Sequence, residues 1–259
     1  MIFESHAHYD DKAFDTDREK LLSSMQKNGI EYIINVSADM KSISTTLQLT
    51  KEYDFVYGAV GIHPSESGEL TEEDFAWIKG KVCEKKVVAV GEIGLDYYWK
   101  EPEKEIQMKW FDRQLLLAKE LNKPVIIHSR DAAADTLSVL QSDAAKGIKG
   151  VVHCYSYTKE TAKTILNLGY YFGIGGVVTF SNAKKLVEAV EYLPLDHILL
   201  ETDSPYLAPT PNRGQRNSSL NIPFIAQRIA DIKGITYEEV VDTTNKNAKA
   251  LFFNQSLEA

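Results

Sequence analysis

The sequence predicts an α/β fold, a single-domain (β/α)8 TIM barrel with its site at the C-terminal rim of the strands, and three observations predict it. Short β-branched apolar runs recur along the whole chain, amphipathic stretches separate them, and no linker, low-complexity tract or charge block divides the 259 residues. The runs are nearly continuous rather than alternating, as in strands buried on both faces. Strand and helix repeating in units of about 30 residues supply enough pieces to close a parallel barrel. An open doubly wound sheet is the runner-up.

In chain order, strands are expected at Phe3–His8, Ile30–Val36, Phe55–Ile62, Lys86–Ile93, Pro124–His128, Gly150–His153, Tyr170–Ile174 and His197–Glu201. Helices are expected over stretches such as Asp17–Asn28, Ser42–Tyr53, Glu103–Leu121, Asp131–Leu140, Lys159–Leu168 and Ala183–Tyr192. Their apolar residues recur at helical spacing, as do Ile106, Trp110, Leu117 and Leu121. Asp131 and Thr158 are candidate N-caps, and Asn28-Gly29 and Leu168-Gly169 are stop signals. Ser204–Asn221, rich in Pro, Gly, Ser and Asn, is expected as a long functional loop after the eighth strand. Ile222–Phe253 is expected to form two or three terminal helices, and the one domain to span residues 1–259.

Composition narrows the function classes. Lys and Arg number 29 against 37 Asp and Glu, a formal net charge of -8, with 44% hydrophobic residues. This is ordinary globular composition, and the charge argues against a broadly basic surface that coats nucleic acid. Two cysteines, Cys83 and Cys154, are too few for a disulfide framework and match no zinc-finger spacing. The start MIFESHAHYDD lacks the pattern of a signal peptide, and no run of apolar residues is long enough to span a bilayer. A cytoplasmic protein without membrane association is expected; the oligomeric state is open, with a monomer favoured.

The histidines carry the most information. Five of the six fall at or just past predicted strand ends: His6, His8, His63, His128 and His153. In a parallel barrel all those ends share one face, so residues far apart in sequence converge there. Glu92 and Asp203 add two carboxylates to the same rim. His6 and His8, at i and i+2 of a strand, point to one side and suit a shared metal ion. Four imidazoles and two carboxylates are enough for two metals if one carboxylate bridges, and Glu92, central in strand order, is the bridging candidate. His197 starts its strand on the opposite face and is expected to be structural.

These residues lie in ESHAHYD (Glu4–Asp10), GIHP (Gly61–Pro64), GEIGLDYY (Gly91–Tyr98), PVIIHSRDA (Pro124–Ala132), VHCYS (Val152–Ser156) and ETDSPYLAP (Glu201–Pro209). Six motifs in this order resemble the TatD-type metal-dependent deoxyribonucleases of the amidohydrolase superfamily, over the whole chain. The resemblance implies a (β/α)8 fold and divalent-metal nuclease activity, including 3′-to-5′ exonuclease action on DNA with single strands or 3′ ends as the partner. It further implies that His6, His8 and Asp203 hold a first metal, that His128 and His153 hold a second, and that Glu92 bridges them. Two departures stand out. Glu4 occupies a position where Asp is common, and Ser218-Ser219 replaces a common Glu-Pro pair after Arg213–Asn217.

The expected chemistry is hydrolysis by a metal-activated water, with Mg2+ or Mn2+ as the metals and Zn2+ also compatible with imidazole ligands. Asp203 and Glu92 are the catalytic carboxylates, Asp203 orienting the water and taking its proton. Glu4 and Glu201 are expected as buried partners behind the ligands. Candidate substrate contacts are His63, Arg130, Arg213, Arg216 and Tyr97, the last from the Tyr97-Tyr98-Trp99 cluster. For His63 a turn-holding role is an equal alternative, for the arginines a solvated surface role, and for two of the three aromatic residues hydrophobic packing of the loop. Cys154 is expected to point away from the site as a small buried hydrophobe. Competing functions are an amidohydrolase acting on a small amide, lactone or phosphoester, and a noncatalytic phosphate-binding barrel.

Overall fold

Eight parallel strands hydrogen-bond in sequence order. They are β1 (Ile2–Ala7), β2 (Ile30–Val36), β3 (Val56–Val60), β4 (Val87–Asp96), β5 (Val125–Arg130), β6 (Gly150–Val152), β7 (Tyr171–Ile174) and β8 (Ile198–Leu200). The computed structural model describes residues 1–253, so the last six residues of the expected domain lie outside the described residues. The sheet curls until β8 returns to β1, and helices surround it: a TIM barrel, not an open sheet. Most strand residues are buried, which is why the runs are continuous in sequence.

The β1–β8 seam is held unlike the other strand contacts. Near the rim, Asp203 N donates to His6 O at 3.0 Å and His8 N to Ser204 O at 2.8 Å. Below them the Glu4 carboxylate accepts from Thr202 N at 2.9 Å and Thr202 Oγ1 at 2.7 Å, and Ser5 Oγ donates to Leu200 O at 3.0 Å. Glu4 is completely buried, and burial pushes its carboxyl up to about 7 against the pull of these donors. Glu4 therefore joins the seam that ties the first strand to the last.

The helices follow local chemistry. Asp39 and Ser42 form a capping box that starts α2 (Met40–Glu52) earlier than apolar spacing marks it. Thr158 caps α6 (Lys159–Asn167) through Thr161 N, and Gly169 follows that helix at φ 82. Asp131 is not an N-cap: it stands at φ 53, and α5 (Ala133–Leu140) starts from Ala132 without a side-chain cap. The expected first helix is shorter, α1 (Arg18–Ser24), followed by a 3-10 turn that ends in left-handed Gly29. A further helix, α3 (Glu72–Val82), lies between β3 and β4 behind a Thr71/Asp74 capping box. Between β4 and β5 runs α4 (Lys104–Glu120), and α7 (Lys184–Tyr192) precedes β8. The tail forms α8 (Ile222–Lys233) and α9 (Tyr237–Phe252), whose Leu251 and Phe252 cluster with Phe3 and Ile34. No helix among the described residues is long and apolar enough to cross a membrane.

Candidate metal centre

The strand ends deliver two histidine pairs to one rim. Strand alternation puts His6 and His8 on one side, with Nε2 atoms 3.1 Å apart. The Nδ1–H of His8 donates to Val36 O at 2.7 Å, which turns its Nε2 inward. Across the rim, His128 Nδ1 and His153 Nε2 lie 3.2 Å apart.

Glu92 stands between the pairs, 3% exposed. Its Oε1 lies 2.7 Å from His128 Nδ1 and 2.6 Å from His153 Nε2. Its Oε2 lies 3.4 Å from His6 Nε2 and 3.7 Å from His8 Nε2. Each oxygen thus faces a different pair. Asp203 Oδ1 completes the first pair's side, 3.3 Å from His8 Nε2 and 3.7 Å from His6 Nε2. Asp203 adopts φ 57, a left-handed turn just past β8, where its amide is fixed to the backbone of β1.

This donor set fits divalent metals. Imidazole nitrogens crowded against each other and against carboxylate oxygens need a proton or a cation between them, and four imidazoles with two carboxylates suit Zn2+, Mn2+ or related ions. The trios His6, His8, Asp203 and His63, Glu92, His128 each bring ligand atoms within 4.8 Å of one another. A third trio, His6, His153 and Glu201, meets the same distance but lies deeper. The two imidazoles there are stacked at 3.9 Å and 10°, so their in-plane lone pairs run side by side and do not converge on one ion.

The protons of the metal-free cluster follow from its charges. Burial works against charge on Glu92, but the surrounding imidazoles hold its carboxyl well below the carboxylate range. Burial also works against charge on His8 and His128. Asp203 with Glu92 overcomes it and lifts His8 to about 10, while Asp96 with Glu92 lifts His128 to about 9. Burial lowers His6 to about 4. The carboxylates therefore hold protons in the places where a cation would sit.

The residues behind the ligands differ in part from expectation. Asp96 is an addition: β4 runs past Glu92, and Asp96 Oδ2 lies 3.0 Å from His128 Nε2. It occurs within the GEIGLDYY motif, four residues beyond Glu92, an even spacing that places both on one face only because the strand continues past its apolar run. Glu201 lies beneath the rim, accepts from Cys154 N at 2.5 Å, and fills space left open by Gly173, where a Cβ would collide with its carboxylate. His63 holds its turn and also lines the rim cavity. Its Nδ1 accepts from Ser65 N at 3.1 Å and caps the turn Pro64–Glu66, so the neutral ring carries its proton on Nε2. That N–H faces the cluster 3.8 Å from Glu92 Oε1. Burial and nearby His128 push His63 down to about 3, which keeps it neutral.

A family model described as TatD related DNase matches residues 3–253. The chain belongs to that family. The uncharacterized metal-dependent hydrolase YabD of Bacillus subtilis is 42% identical over 252 residues, covering 97% of this chain and 99% of YabD. A mouse protein named as a candidate deoxyribonuclease, TATDN3, is 33% identical, with 97% and 88% of the two chains covered. The crystal structure of the TatD homolog YJJV from Escherichia coli superposes with a TM-score of 0.91 at 30% identity, covering 97% of each chain. The chain is accordingly a TatD-family metal-dependent hydrolase.

Around the centre of this TatD-family chain, a cavity of about 860 Å³ reaches from Glu92 to the surface. Arg130 lines it, its guanidinium 3.7 Å from the Tyr98 ring centroid. Trp99 lines it too and is 55% exposed. Tyr97 does not line it: its hydroxyl donates to Asp135 at 2.7 Å and its ring packs on the core. Arg213 and Arg216 are also absent from the wall. Arg213 stacks on Phe180, and Arg216 binds both carboxylate oxygens of Asp17. The long loop thus carries little free positive charge to the rim, because the acidic N-terminal segment neutralises Arg216. Cys154 corrects a further expectation: β6 ends at Val152, Cys154 takes φ 44, and the broken alternation places it on the cavity wall.

Proposed function

We propose that this chain hydrolyses DNA phosphodiester bonds as a 3′-to-5′ exonuclease at a site that holds two divalent metal ions. The single observation that carries the two-metal reading is Glu92, whose two oxygens face separate histidine pairs. His6, His8, Asp203 and Glu92 Oε2 would hold one ion, and His128, His153 and Glu92 Oε1 the other. Mg2+ or Mn2+ is the preferred metal in cells, and Zn2+ also suits the donors. Such ions make hydroxide available near neutral pH and neutralise charge on phosphoryl oxygens.

The chain's own groups do the rest. Asp203 lines the cavity as well as facing His8, so it can orient the attacking water and accept its proton. His63 offers its Nε2–H to a nonbridging phosphoryl oxygen, a fixed donor aimed where charge develops. Arg130 meets a neighbouring phosphate, and Trp99 presents an aromatic face on which a base can stack. The family model's DNase description and the mouse relative's name support DNA as the substrate.

The test is a cleavage assay of metal-loaded protein on labelled single-stranded DNA, double-stranded DNA, RNA and a generic phosphodiester. Metal-dependent release of mononucleotides from the 3′ end of DNA is expected. Activity confined to the generic ester would overturn the DNA reading and favour a small-phosphoester hydrolase.

A further inference from the structure

A second cavity, about 590 Å³, opens at the opposite end of the barrel. Its wall comes from the ends of the segments that lead into β5, β6, β7 and β8, so it sits at the N-terminal face, across the molecule from Glu92. Lys119, Lys123, Lys146, Lys149 and His197 line it, and among the described residues no carboxylate does. In a chain of net charge -8 this is an anomalous concentration of cations.

The four lysines divide into two kinds. Lys123 Nζ donates to Val87 O at 2.5 Å, and Lys119 Nζ donates to Asp143 O at 2.8 Å and Ala144 O at 3.4 Å, so both ammonium groups are anchored in the wall. Lys146 and Lys149 are exposed, and neither has a hydrogen-bond or ion-pair partner among the described residues. His197 is turned by its Nδ1 contact to Asp196 at 2.8 Å and stacks on Tyr171, with centroids 5.4 Å apart and an angle of 24°. Asp196 lies outside the wall and is engaged by that imidazole.

We infer that this cavity is a second binding site, for a phosphate-bearing ligand up to the size of a mononucleotide. Ammonium groups bind phosphate as point charges, and free ones beside anchored ones form a field that a multiply charged anion relieves. The volume falls within the range of small-molecule sites, and the Tyr171–His197 pair supplies a flat wall beside the lysines. The site is independent of the rim chemistry and stands whether or not the chain cleaves DNA.

The test is calorimetric titration of the full chain, stripped of metal by a chelator, with pyrophosphate, dAMP and deoxyadenosine at low ionic strength. Saturable binding of pyrophosphate, dAMP or both is expected, with deoxyadenosine silent. Pyrophosphate alone would identify an inorganic source of the phosphate, and dAMP alone a nucleotide source. The affinity should fall about tenfold or more in the Lys146→Ala/Lys149→Ala variant, whose exposed positions leave the core untouched, and be retained in Glu92→Gln. Absence of saturable binding, binding indifferent to the lysine changes, or binding lost in Glu92→Gln would overturn the inference. The cleavage assay above reads only the rim, so the two failures are distinguishable.

Discussion

Asp96 Oδ2 sits 3.0 Å from His128 Nε2, while His128 Nδ1 faces Glu92 Oε1 at 2.7 Å. A carboxylate behind one ring nitrogen fixes the tautomer, raises the basicity of the other nitrogen and holds the ring in place. Asp96 is itself held, because Tyr98 N donates to its Oδ1 at 3.0 Å. Asp96→Asn should weaken metal affinity or activity by about 10- to 100-fold with the fold intact. Metal titration followed by circular dichroism checks it; unchanged affinity would remove Asp96 from the centre.

Glu92→Gln should cost more than Asp96→Asn, because it alters a group facing both histidine pairs rather than the partner of one ligand. Activity should fall by more than about 100-fold, above the usual cost of losing an outer partner. Metal content measured by elemental analysis should fall in parallel. Full activity with normal metal content would contradict the bridging role.

Metal uptake should release protons. His8 and His128 stand at about 10 and about 9 in the metal-free cluster, so both are protonated at neutral pH and must lose those protons to bind a metal. The sign is fixed: apparent metal affinity rises with pH from neutrality and levels off as pH passes those values. Titration calorimetry in two buffers of different ionisation enthalpy counts the protons, and zero release at pH 7 would contradict this account.

The aromatic cluster after β4 should divide by position. Trp99 lines the cavity, whereas the Tyr97 hydroxyl is held by Asp135. Trp99→Ala should raise KM for an oligonucleotide by about 5- to 150-fold, the range for one stacked base, with a smaller change in kcat. Tyr97→Phe should leave KM unchanged. Steady-state kinetics on a short single strand decides between them.

The arginines should divide likewise. Arg130→Ala should lower the slope of log affinity against log salt by about 1 if it neutralises one phosphate. The Arg213→Ala/Arg216→Ala pair should leave that slope unchanged, since both guanidinium groups lie outside the cavity wall and Arg216 is engaged with Asp17. Binding of a Glu92→Gln background to fluorescent single-stranded DNA across a salt series measures both.

The barrel and the histidine rim were legible because each rests on a one-dimensional signal. Buried parallel strands make continuous apolar runs, and a parallel barrel sends every strand's C-terminal end to one face, so His6, His8, His128 and His153 could be assembled without tertiary contacts. What was not legible depended on where backbone regularity stops. Cys154 faces the cavity because β6 ends two residues before it and its φ is positive. Asp96 joins the site because β4 continues beyond the apolar run that marks it. Arg216 and Tyr97 drop out of the cavity because Asp17 and Asp135, distant in sequence, engage them first. Charge counting along the loop could not see that pairing.

Anomalous diffraction from crystals equilibrated with Mn2+ tests the central claim most directly. Two peaks are predicted, one bounded by His6, His8 and Asp203 and the other by His128 and His153, with the Glu92 carboxylate between them. A single peak, or two peaks that Glu92 does not separate, would contradict it.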